Sequence, residues 1–438
     1  MSAPTEVAAS ALPLSPHALA RIPTPAYVYD LAEVRRNRRA LSEALPVGSD
    51  VYYSLKANAH PSLLRELREQ GTRPEVCSSG ELDAALGVGW PAADVLYTGP
   101  GKRDEEIDKA LRAGVRLFSV DSPHAIEQLD RIARRLDAAA QCLLRINDDQ
   151  PVPGQGLAMT GVASQFGADT GWVLQEPARF AGRSHAELMG LHLYMGSNLA
   201  EPEALIGQFA RSLRTAKTLR TALAAHGARL RVLDLGGGFG APFASAGERI
   251  DLSGLRPGLT ALLDEELPDR HTDGTRMVFE SGRYLVGTAG TLLTSVLDVK
   301  RSHGKDVVVL ESGINHLGGM SGMRRLPPLN PQLVPAATGP AASSSDTVDA
   351  LVSGPLCTPL DTWSRSAHLP ELRPGDVLAV PNVGAYGLSA SLVAFLGHPL
   401  PLEAVVDGDL PDTDAEITRL HLTRTPAPAA AGPTLGET

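Results

Sequence analysis

The chain has 438 residues, of which 43% are hydrophobic and 21% charged, a composition typical of a folded protein of two or three domains. A formal net charge of -10, without a long run of Lys or Arg, argues against nucleic acid as a partner. No apolar run is long enough to span a membrane and residues 1–13 do not resemble a signal peptide, so we expect a cytoplasmic protein. The three cysteines have neither the number nor the spacing of a disulfide framework or a metal site.

Strand-like and helix-like segments alternate through the first two-thirds of the chain. Strand-like runs such as 51–54, 117–120 and 276–280 are separated by helix-like runs, of which 202–226 is the longest. Such alternation indicates parallel strands in βαβ units. About seven or eight units in roughly 240 residues favour a (β/α)8 barrel over an open sheet.

After about residue 290 the pattern changes. Short β-rich runs at 307–310, 350–352 and 377–380 are separated by turn signals rather than helices, which predicts a mostly β second domain. The run 26–29 could pair with this domain or begin the barrel. The expected divisions are an N-terminal segment at 1–45, the barrel at 46–290, the β domain at 291–422 with a mobile insertion near 327–346, and a disordered tail at 423–438.

Lys56 ends an apolar, aromatic-rich run and is followed by small residues. A lysine at the C-terminal end of a buried strand is removed from water, which would lower its pKa and leave a neutral amine able to form a Schiff base. In a barrel, functional groups lie at these strand ends. The sequence therefore predicts that Lys56 anchors a cofactor, although a lysine that only marks the end of a strand shows the same pattern.

Two further strand ends offer groups that could hold a phosphate. The glycine-rich stretch 236–240 follows a strand directly, and such backbone can bring several amide donors onto an anion. It is not a dinucleotide-binding fingerprint, because no clear helix begins within it. The predicted strand 191–195 leads to the hydroxyl of Ser197, and its His192 and Tyr194 are predicted to share one face. A tight turn and core packing are the alternatives.

Glu280 and Arg283 end a third strand. A buried carboxylate facing a pyridine nitrogen would keep that nitrogen protonated, while Arg could pair with phosphate or a substrate carboxylate. A surface ion pair is the alternative. In the second domain Cys357 lies in a turn between β segments, where it is either a reactive thiol or an inert buried one.

Together these motifs resemble the fold-type III pyridoxal 5'-phosphate (PLP) enzymes, and within them the diaminopimelate and ornithine decarboxylase family. The resemblance covers nearly the whole chain, from Lys56 through 236–240, 280–283 and 354–361 to 384–386. It implies an alanine racemase-like (β/α)8 barrel with a second, mostly β C-terminal domain. It also implies PLP as the cofactor and a homodimer with shared active sites.

The resemblance implies a role for each site residue. Lys56 would form the Schiff base, and Cys357, supplied across the dimer interface, would protonate the substrate carbon after carbon dioxide leaves. Glu280 would pair with the pyridine nitrogen. The other implied cofactor-binding residues are His192, Tyr194, Ser197, Gly236, Gly237, Gly238, Gly282, Arg283 and Tyr386.

Two positions depart from the family pattern. Tyr194 stands where the better-known members have a His stacked on the cofactor ring, and an aromatic face can still stack. Thr358 stands where diaminopimelate and ornithine decarboxylases have an acidic residue near the distal end of the substrate. A buried ammonium without a carboxylate partner is strongly disfavoured, so we expect diaminopimelate, lysine and ornithine not to be substrates unless Asp361 substitutes.

The segment 311–325 is similar to the branch of the family found in specialised metabolism, which acts on carrier-tethered amino acids and siderophore precursors. Arg324 or Arg325 could meet a distal carboxylate or the phosphopantetheine phosphate of a carrier protein, unless both are solvated loop residues. The predicted substrate-binding residues are Arg283, Asn315, Arg324, Arg325 and Asp361.

The sequence thus predicts a PLP-dependent decarboxylase, a carboxy-lyase that acts on an amino acid or a derivative such as a siderophore or antibiotic precursor. Diaminopimelate decarboxylase of lysine biosynthesis is one alternative. An amino-acid racemase is a second, but it would need another base on the opposite face rather than this cysteine-containing turn. A non-catalytic binding protein is a third, and it would be expected to lose the cofactor groups that this chain retains.

Overall fold

The computed structural model describes residue 19 and residues 21–148, 160–318, 329–336, 347–408 and 415–426. Within these ranges the strands form two nine-stranded sheets. In chain order the strands are β1 (Ala26–Asp30), β2 (Asp50–Ser54), β3 (Arg73–Val76), β4 (Leu96–Tyr97), β5 (Leu117–Val120), β6 (Ala140–Asn147), β7 (Ala168–Asp169), β8 (Ala186–His192), β9 (Val232–Asp234), β10 (Arg276–Ser281), β11 (Gly290–Ser302), β12 (Lys305–Leu310), β13 (Val334–Pro335), β14 (Thr347–Ser353), β15 (Thr362–Pro370), β16 (Val377–Val380), β17 (Leu402–Val406) and β18 (Glu416–Arg419).

Helices follow most strands of the first sheet, as the alternating pattern predicts. Several begin at a side chain that caps the first turn: Ser78 accepts a hydrogen bond from the Glu81 amide, and Ser122 from the Ala125 amide. The helices are α1 (Leu31–Ala44), α2 (Pro61–Glu69), α3 (Ser79–Gly87), α4 (Asp104–Ala113), α5 (Pro123–Arg135), α6 (Thr170–Gln175), α7 (Pro177–Phe180), α8 (Pro202–Ala224), α9 (Leu255–Glu266) and α10 (Arg283–Val286). Among the described helices, none is long and apolar enough to cross a membrane.

Eight parallel strands close into a barrel. They run in the order β5, β4, β3, β2, β10, β9, β8 and β6, and pairing of β5 with β6 completes the ring, while β7 adds to the edge of β6. Alternate residues face inward, so that Tyr52 joins a small apolar cluster with Leu96, Leu143 and Val278, separate from the main core that contains Val51. The barrel and the second, mostly β sheet confirm the predicted fold class.

The second sheet contains β1 and every described strand from β11 onward. β1 pairs antiparallel with β11 and parallel with β17, so the run 26–29 belongs to this sheet and does not begin the barrel. The first barrel strand is therefore β2, which leads to Lys56. The chain enters the second sheet, builds the barrel, and then returns.

Some predicted boundaries differ from the observed ones. The strand predicted at 191–195 is β8 and ends at His192, where its pairing with β9 stops after a last hydrogen bond from the Leu193 amide to the Asp234 carbonyl. Of the predicted insertion at 327–346, only residues 329–336 are described, and they include β13, which pairs with β16. Of the predicted tail, residues 423–426 are exposed and 427–438 lie outside the described residues.

Candidate active site

Lys56 lies in a single helical turn, Leu55–Ala57, directly after β2 at the C-terminal mouth of the barrel. Leu55 and Ala57 are buried, whereas two-fifths of the Lys56 side chain is exposed (41%). The lysine faces a pocket at the barrel mouth. The pocket is lined by Ser54, Lys56, Tyr194, Ser197, Gly238, Phe239, Glu280, Ser281, Gly282, Arg283 and Tyr386.

The charge of Lys56 is set by Glu75, at the end of the neighbouring strand β3. Glu75 Oε2 lies 4.0 Å from Lys56 Nζ, while Glu75 Oε1 accepts hydrogen bonds from Cys77 and Thr98. The Glu75 carboxylate raises the pKa of Lys56 well above its usual value, because its attraction outweighs the opposing effect of burial. The predicted lowering of this pKa is therefore wrong: burial was foreseen from the strand, but the carboxylate partner was not.

The glycine-rich turn after β9 has a shape that only glycine permits. Gly236 and Gly238 have φ of +64° and +103°, in the left-handed region that side chains rarely adopt. A Cβ on Gly237 would lie 2.2 Å from the Glu280 carbonyl oxygen. Among the described residues, no acceptor receives the backbone N–H of Gly237 or Gly238, so both donors remain free for an anion such as phosphate. As predicted, no helix begins within this turn.

Glu280 and Arg283 occupy opposite ends of the turn that follows β10. Glu280 is 3% exposed, and its Oε1 has no hydrogen-bond donor in the described part of the chain. Burial raises the pKa of Glu280 well above its usual value. The Arg283 guanidinium lies 4.7 Å from the centre of the Tyr386 ring, and the Tyr386 backbone amide donates a hydrogen bond of 2.8 Å to the Ala57 carbonyl.

These groups fit PLP. Glu280 supplies a buried acceptor without a partner, as the ring nitrogen of the cofactor requires, and the glycine turn supplies a cradle that any Cβ would fill. Lys56 supplies the amine at the same pocket. The structure therefore brings together the predicted residues Lys56, Tyr194, Ser197, Gly238, Glu280, Gly282, Arg283 and Tyr386 around one pocket.

His192 and Tyr194 separate instead of sharing one face, because β8 ends between them. The Tyr194 ring lines the pocket, and its centre lies 5.8 Å from Lys56 Nζ. His192 is buried beneath the pocket, with Nδ1 2.9 Å from Ser119 Oγ and Nε2 3.4 Å from Glu280 Oε1. Burial lowers the pKa of His192 well below its usual value, so the imidazole is neutral. Its predicted contact with the cofactor would therefore be made through Glu280.

Of the described residues predicted in the second domain, Tyr386 lines this pocket, whereas Cys357, Asp361 and Asn315 do not. Cys357 is exposed, whereas Asp361 is 2% exposed and accepts hydrogen bonds of 2.8 Å from the backbone amides of Ile314 and Leu356. Asn315 is buried, and its amide atoms have no partner among the described residues. Arg324 and Arg325 lie outside the described residues.

Three residues of the site were missed by the sequence interpretation: Glu75, Arg145 and Asp234. Each lies at or near the C-terminal end of a barrel strand, β3, β6 and β9 respectively. That is the position that singled out Lys56 and Glu280. Applying the same strand-end rule to every barrel strand would have found all three.

Comparison with known proteins identifies the family. Residues 31–287 match the family model described as "Pyridoxal-dependent decarboxylase, pyridoxal binding domain". The chain is 30% identical over 387 residues to an L-glutamyl-[BtrI acyl-carrier protein] decarboxylase of Niallia circulans, covering 87% of this chain and 89% of that protein. It is 32% identical over 400 residues to a diaminopimelate decarboxylase of Methanothermobacter thermautotrophicus, covering 87% and 86%.

Among solved structures, diaminopimelate decarboxylase from Helicobacter pylori complexed with L-lysine is 27% identical and has a TM-score of 0.76. The alignment covers 89% of this chain and 93% of that one. These relatives are named as decarboxylases, not as racemases or binding proteins. The chain belongs to the pyridoxal-dependent decarboxylase family, with PLP as its cofactor and decarboxylation of an amino acid or amino-acid derivative as its reaction.

Proposed function

We propose that this decarboxylase acts on an amino-acid derivative that has no free ammonium at its distal end, in specialised metabolism, and that the substrate is an aminoacyl group tethered to a carrier protein. The observation that supports this proposal most directly is the state of Asp361. Both of its carboxylate oxygens already accept backbone amides, from Ile314 and Leu356. Asp361 is also only 2% exposed, so it is held inside its own loop and is poorly placed to meet a substrate ammonium in place of the acid that Thr358 replaces.

Similarity to an enzyme of a carrier-tethered substrate supports the proposed substrate. The Niallia circulans relative acts, by its name, on a glutamyl group attached to an acyl-carrier protein. The second candidate function is diaminopimelate decarboxylation, which the similarity to the Methanothermobacter thermautotrophicus enzyme favours. The two candidate substrates differ at the distal end: diaminopimelate carries an ammonium group there, and a tethered glutamyl group carries none.

We further propose roles for the site residues. When bound, PLP supplies an electron-accepting ring for the electrons of the bond that breaks as carbon dioxide leaves. Lys56 would hold the cofactor covalently. Its Nζ lies 4.0 Å from Glu75 Oε2, so the lysine would keep a proton close to that carboxylate. Ser197 and the amides of Gly237 and Gly238 would bind the phosphate.

The remaining roles concern the orientation of the cofactor and the proton that is delivered to the substrate carbon. Glu280 would accept a hydrogen bond from the ring nitrogen, and the Tyr194 ring would stack on one face of the cofactor. Cys357 would deliver a proton to the substrate carbon from the partner subunit of a homodimer. Its exposure and its absence from the pocket lining of a single chain support this arrangement. A cytoplasmic location stays a prediction from the sequence.

The substrate proposal is tested by carbon dioxide release from two sets of substrates. One set contains free meso-diaminopimelate, L-lysine, L-ornithine and L-glutamate, and the other an L-glutamyl group on a phosphopantetheinylated acyl-carrier protein. We expect release from the tethered substrate and at most a trace from the free diamino acids. Efficient release from meso-diaminopimelate would establish the second candidate instead.

A variant sharpens the same test. Thr358→Asp restores a carboxylate to the loop, and we expect it to increase the relative kcat/KM for diamino acids by about tenfold or more, because the ammonium gains a charged partner. Thr347→Asp, at an exposed position at the start of β14, is the matched control for added charge. An equal response of both variants would show that Thr358 does not face the substrate.

A further inference from the structure

Three buried polar groups meet beneath the cofactor pocket: His192, Asp234 and Glu280. They are 1%, 0% and 3% exposed, and their side-chain ligand atoms lie within 4.8 Å of one another. His192 Nε2, Asp234 Oδ2 and Glu280 Oε1 have no hydrogen-bond partner in the described part of the chain. Glu280 faces the pocket, whereas Asp234 and His192 do not line it. We call these three residues the buried acid cluster.

Two facing carboxylates cannot hydrogen-bond to each other unless one of them carries a proton, because an ionised carboxylate only accepts. Burial raises the pKa of Asp234 to about 7, and the charge of Glu75 adds to this rise, while the hydrogen bond from the Gly236 amide opposes it. The pKa of Glu280 is raised further by the neighbouring charges of Glu75 and Asp234. His192 is neutral, so the cluster itself has no cation to balance two negative charges.

The charged groups that face the cluster from other elements do not remove the need for a proton on one of its two carboxyl groups. Lys56 is matched by Glu75, 4.0 Å away. The Arg145 guanidinium stacks against the rings of Phe166 and Tyr194, at 4.7 and 5.8 Å from their centres, and its charge opposes the rise in the pKa of Asp234 and of Glu280 without reversing it. Lys102 donates to two backbone carbonyls, those of Gly99 and Ser119, and contributes to the cluster only by lowering the pKa of His192.

We propose that Asp234 is a positioning residue that shares one proton with Glu280 and keeps that proton when the cofactor binds. The O–H bond then lies on Asp234 and the negative charge on Glu280, where it faces the ring nitrogen. No proton enters or leaves the cluster in this transfer. Asp234 Oδ1 also accepts the Gly236 amide at 2.8 Å, so the same side chain fixes the glycine turn and the charge of Glu280.

The first test uses the unaltered holoenzyme. A protonated carboxyl group has an infrared carbonyl band that an ionised carboxylate lacks, and the band shifts when the carboxyl carbon carries a heavy isotope. We expect the PLP-loaded enzyme to show a buried carboxyl band above pH 7 that shifts with carboxyl-labelled aspartate and not with labelled glutamate. No such band, or a band that shifts only with labelled glutamate, would overturn the proposal.

The second test is substitution. Asp234→Asn keeps an oxygen for the Gly236 amide but cannot carry the shared proton, so the band should disappear from the holoenzyme. Asp30→Asn is the matched control, because Asp30 is also buried and accepts the Ala32 and Gly408 amides, outside the site. Persistence of the band in Asp234→Asn would overturn the proposal. The labelling experiment needs no variant, so it can overturn the proposal even if Asp234→Asn does not fold.

Discussion

The mouth of the barrel and the loop of residues 354–361 on the second sheet differ in how much of a site each forms within one chain. At the barrel mouth, Lys56, Glu280 and Arg283 line one pocket within a single chain. On the loop, Cys357 is exposed and touches no part of that pocket, although Asp361 folds the loop tightly through two backbone amides. The loop is thus held by a buried carboxylate at one end, while its cysteine is exposed.

One chain by itself forms the pocket around Lys56, but it does not bring Cys357 to that pocket. The barrel strands converge on one point, so residues distant in sequence meet there without help. The loop of residues 354–361 does not reach this pocket within its own chain, unlike Tyr386 on another loop of the second sheet. It can contribute to a catalytic centre only where another surface lies against it. We therefore expect cofactor binding to depend on one chain and turnover on two.

The largest expected effect comes from Lys56→Arg. The positive charge next to Glu75 remains, but guanidinium cannot attach the cofactor, so the visible absorption band should vanish and carbon dioxide release should fall by roughly 1,000-fold or more. Lys102→Arg is the control, because the pKa of Lys102 is lowered to about 8 and its amine is the alternative attachment point. Borohydride reduction followed by peptide mapping that placed the pyridoxyl group on Lys102 would contradict the assignment.

The second effect concerns the loop. Mixed dimers of a Lys56→Ala chain and a Cys357→Ala chain, isolated through two different tags, should recover about half of the unaltered activity if sites are shared, because one of the two sites is then intact. The control places both substitutions on one chain and pairs it with an unaltered chain. Shared sites predict no activity for this control and separate sites predict about half, so the two arrangements give opposite results.

The strand-end rule explains which parts of this comparison could be predicted from the sequence. Lys56, the glycine turn and Glu280 each follow an apolar strand, so their convergence follows from the barrel alone. The pairing of Lys56 with Glu75 could not be predicted, because it depends on the side-chain reach between neighbouring strands. The same limit applies to the end of β8 at His192, which depends on where its pairing with the neighbouring strand β9 stops.

The sequence was least informative about the loop. Its cysteine and Thr358 are visible as residues, but neither composition nor periodicity indicates which surface covers them. Asp361 illustrates the problem: its acidity suggested a substrate contact, whereas its oxygens accept the amides of Ile314 and Leu356. Contacts of this kind, between a side chain and the backbone of a turn, are visible only in the three-dimensional structure.

A third, smaller effect separates the charge of the barrel site from its shape. Glu75→Gln keeps an oxygen for Cys77 and Thr98 but removes the carboxylate that raises the pKa of Lys56. Only the neutral amine attacks the cofactor, so at neutral pH the visible band should appear faster, by about tenfold for each unit by which the pKa falls. Glu187→Gln, at an exposed position on β8, is the control. An unchanged pH profile for Glu75→Gln would show that Glu75 does not govern this amine.

The smallest effect lies at the junction of the two regions. His60 follows the Lys56 turn, caps α2 by accepting the Ser62 amide, and lies 3.2 Å from the Thr418 hydroxyl on β18 of the second sheet. Burial lowers the pKa of His60 from 6.5 to about 4. Between these values the unfolded chain binds a proton that the folded chain does not, so stability is complete above pH 6.5 and falls as the pH drops towards 4.

This loss should amount to roughly 3 kcal/mol at most in the free energy of unfolding. His60→Asn keeps an oxygen to cap α2 and removes the titration, so its urea-unfolding free energy should decline less between pH 6.5 and 4 than that of the unaltered chain. His226→Gln, at an exposed position beyond the end of α8, is the control. Because the imidazole links the lysine turn to the second sheet, a decline as steep in His60→Asn as in the control would mean that other groups hold the two regions together in acid.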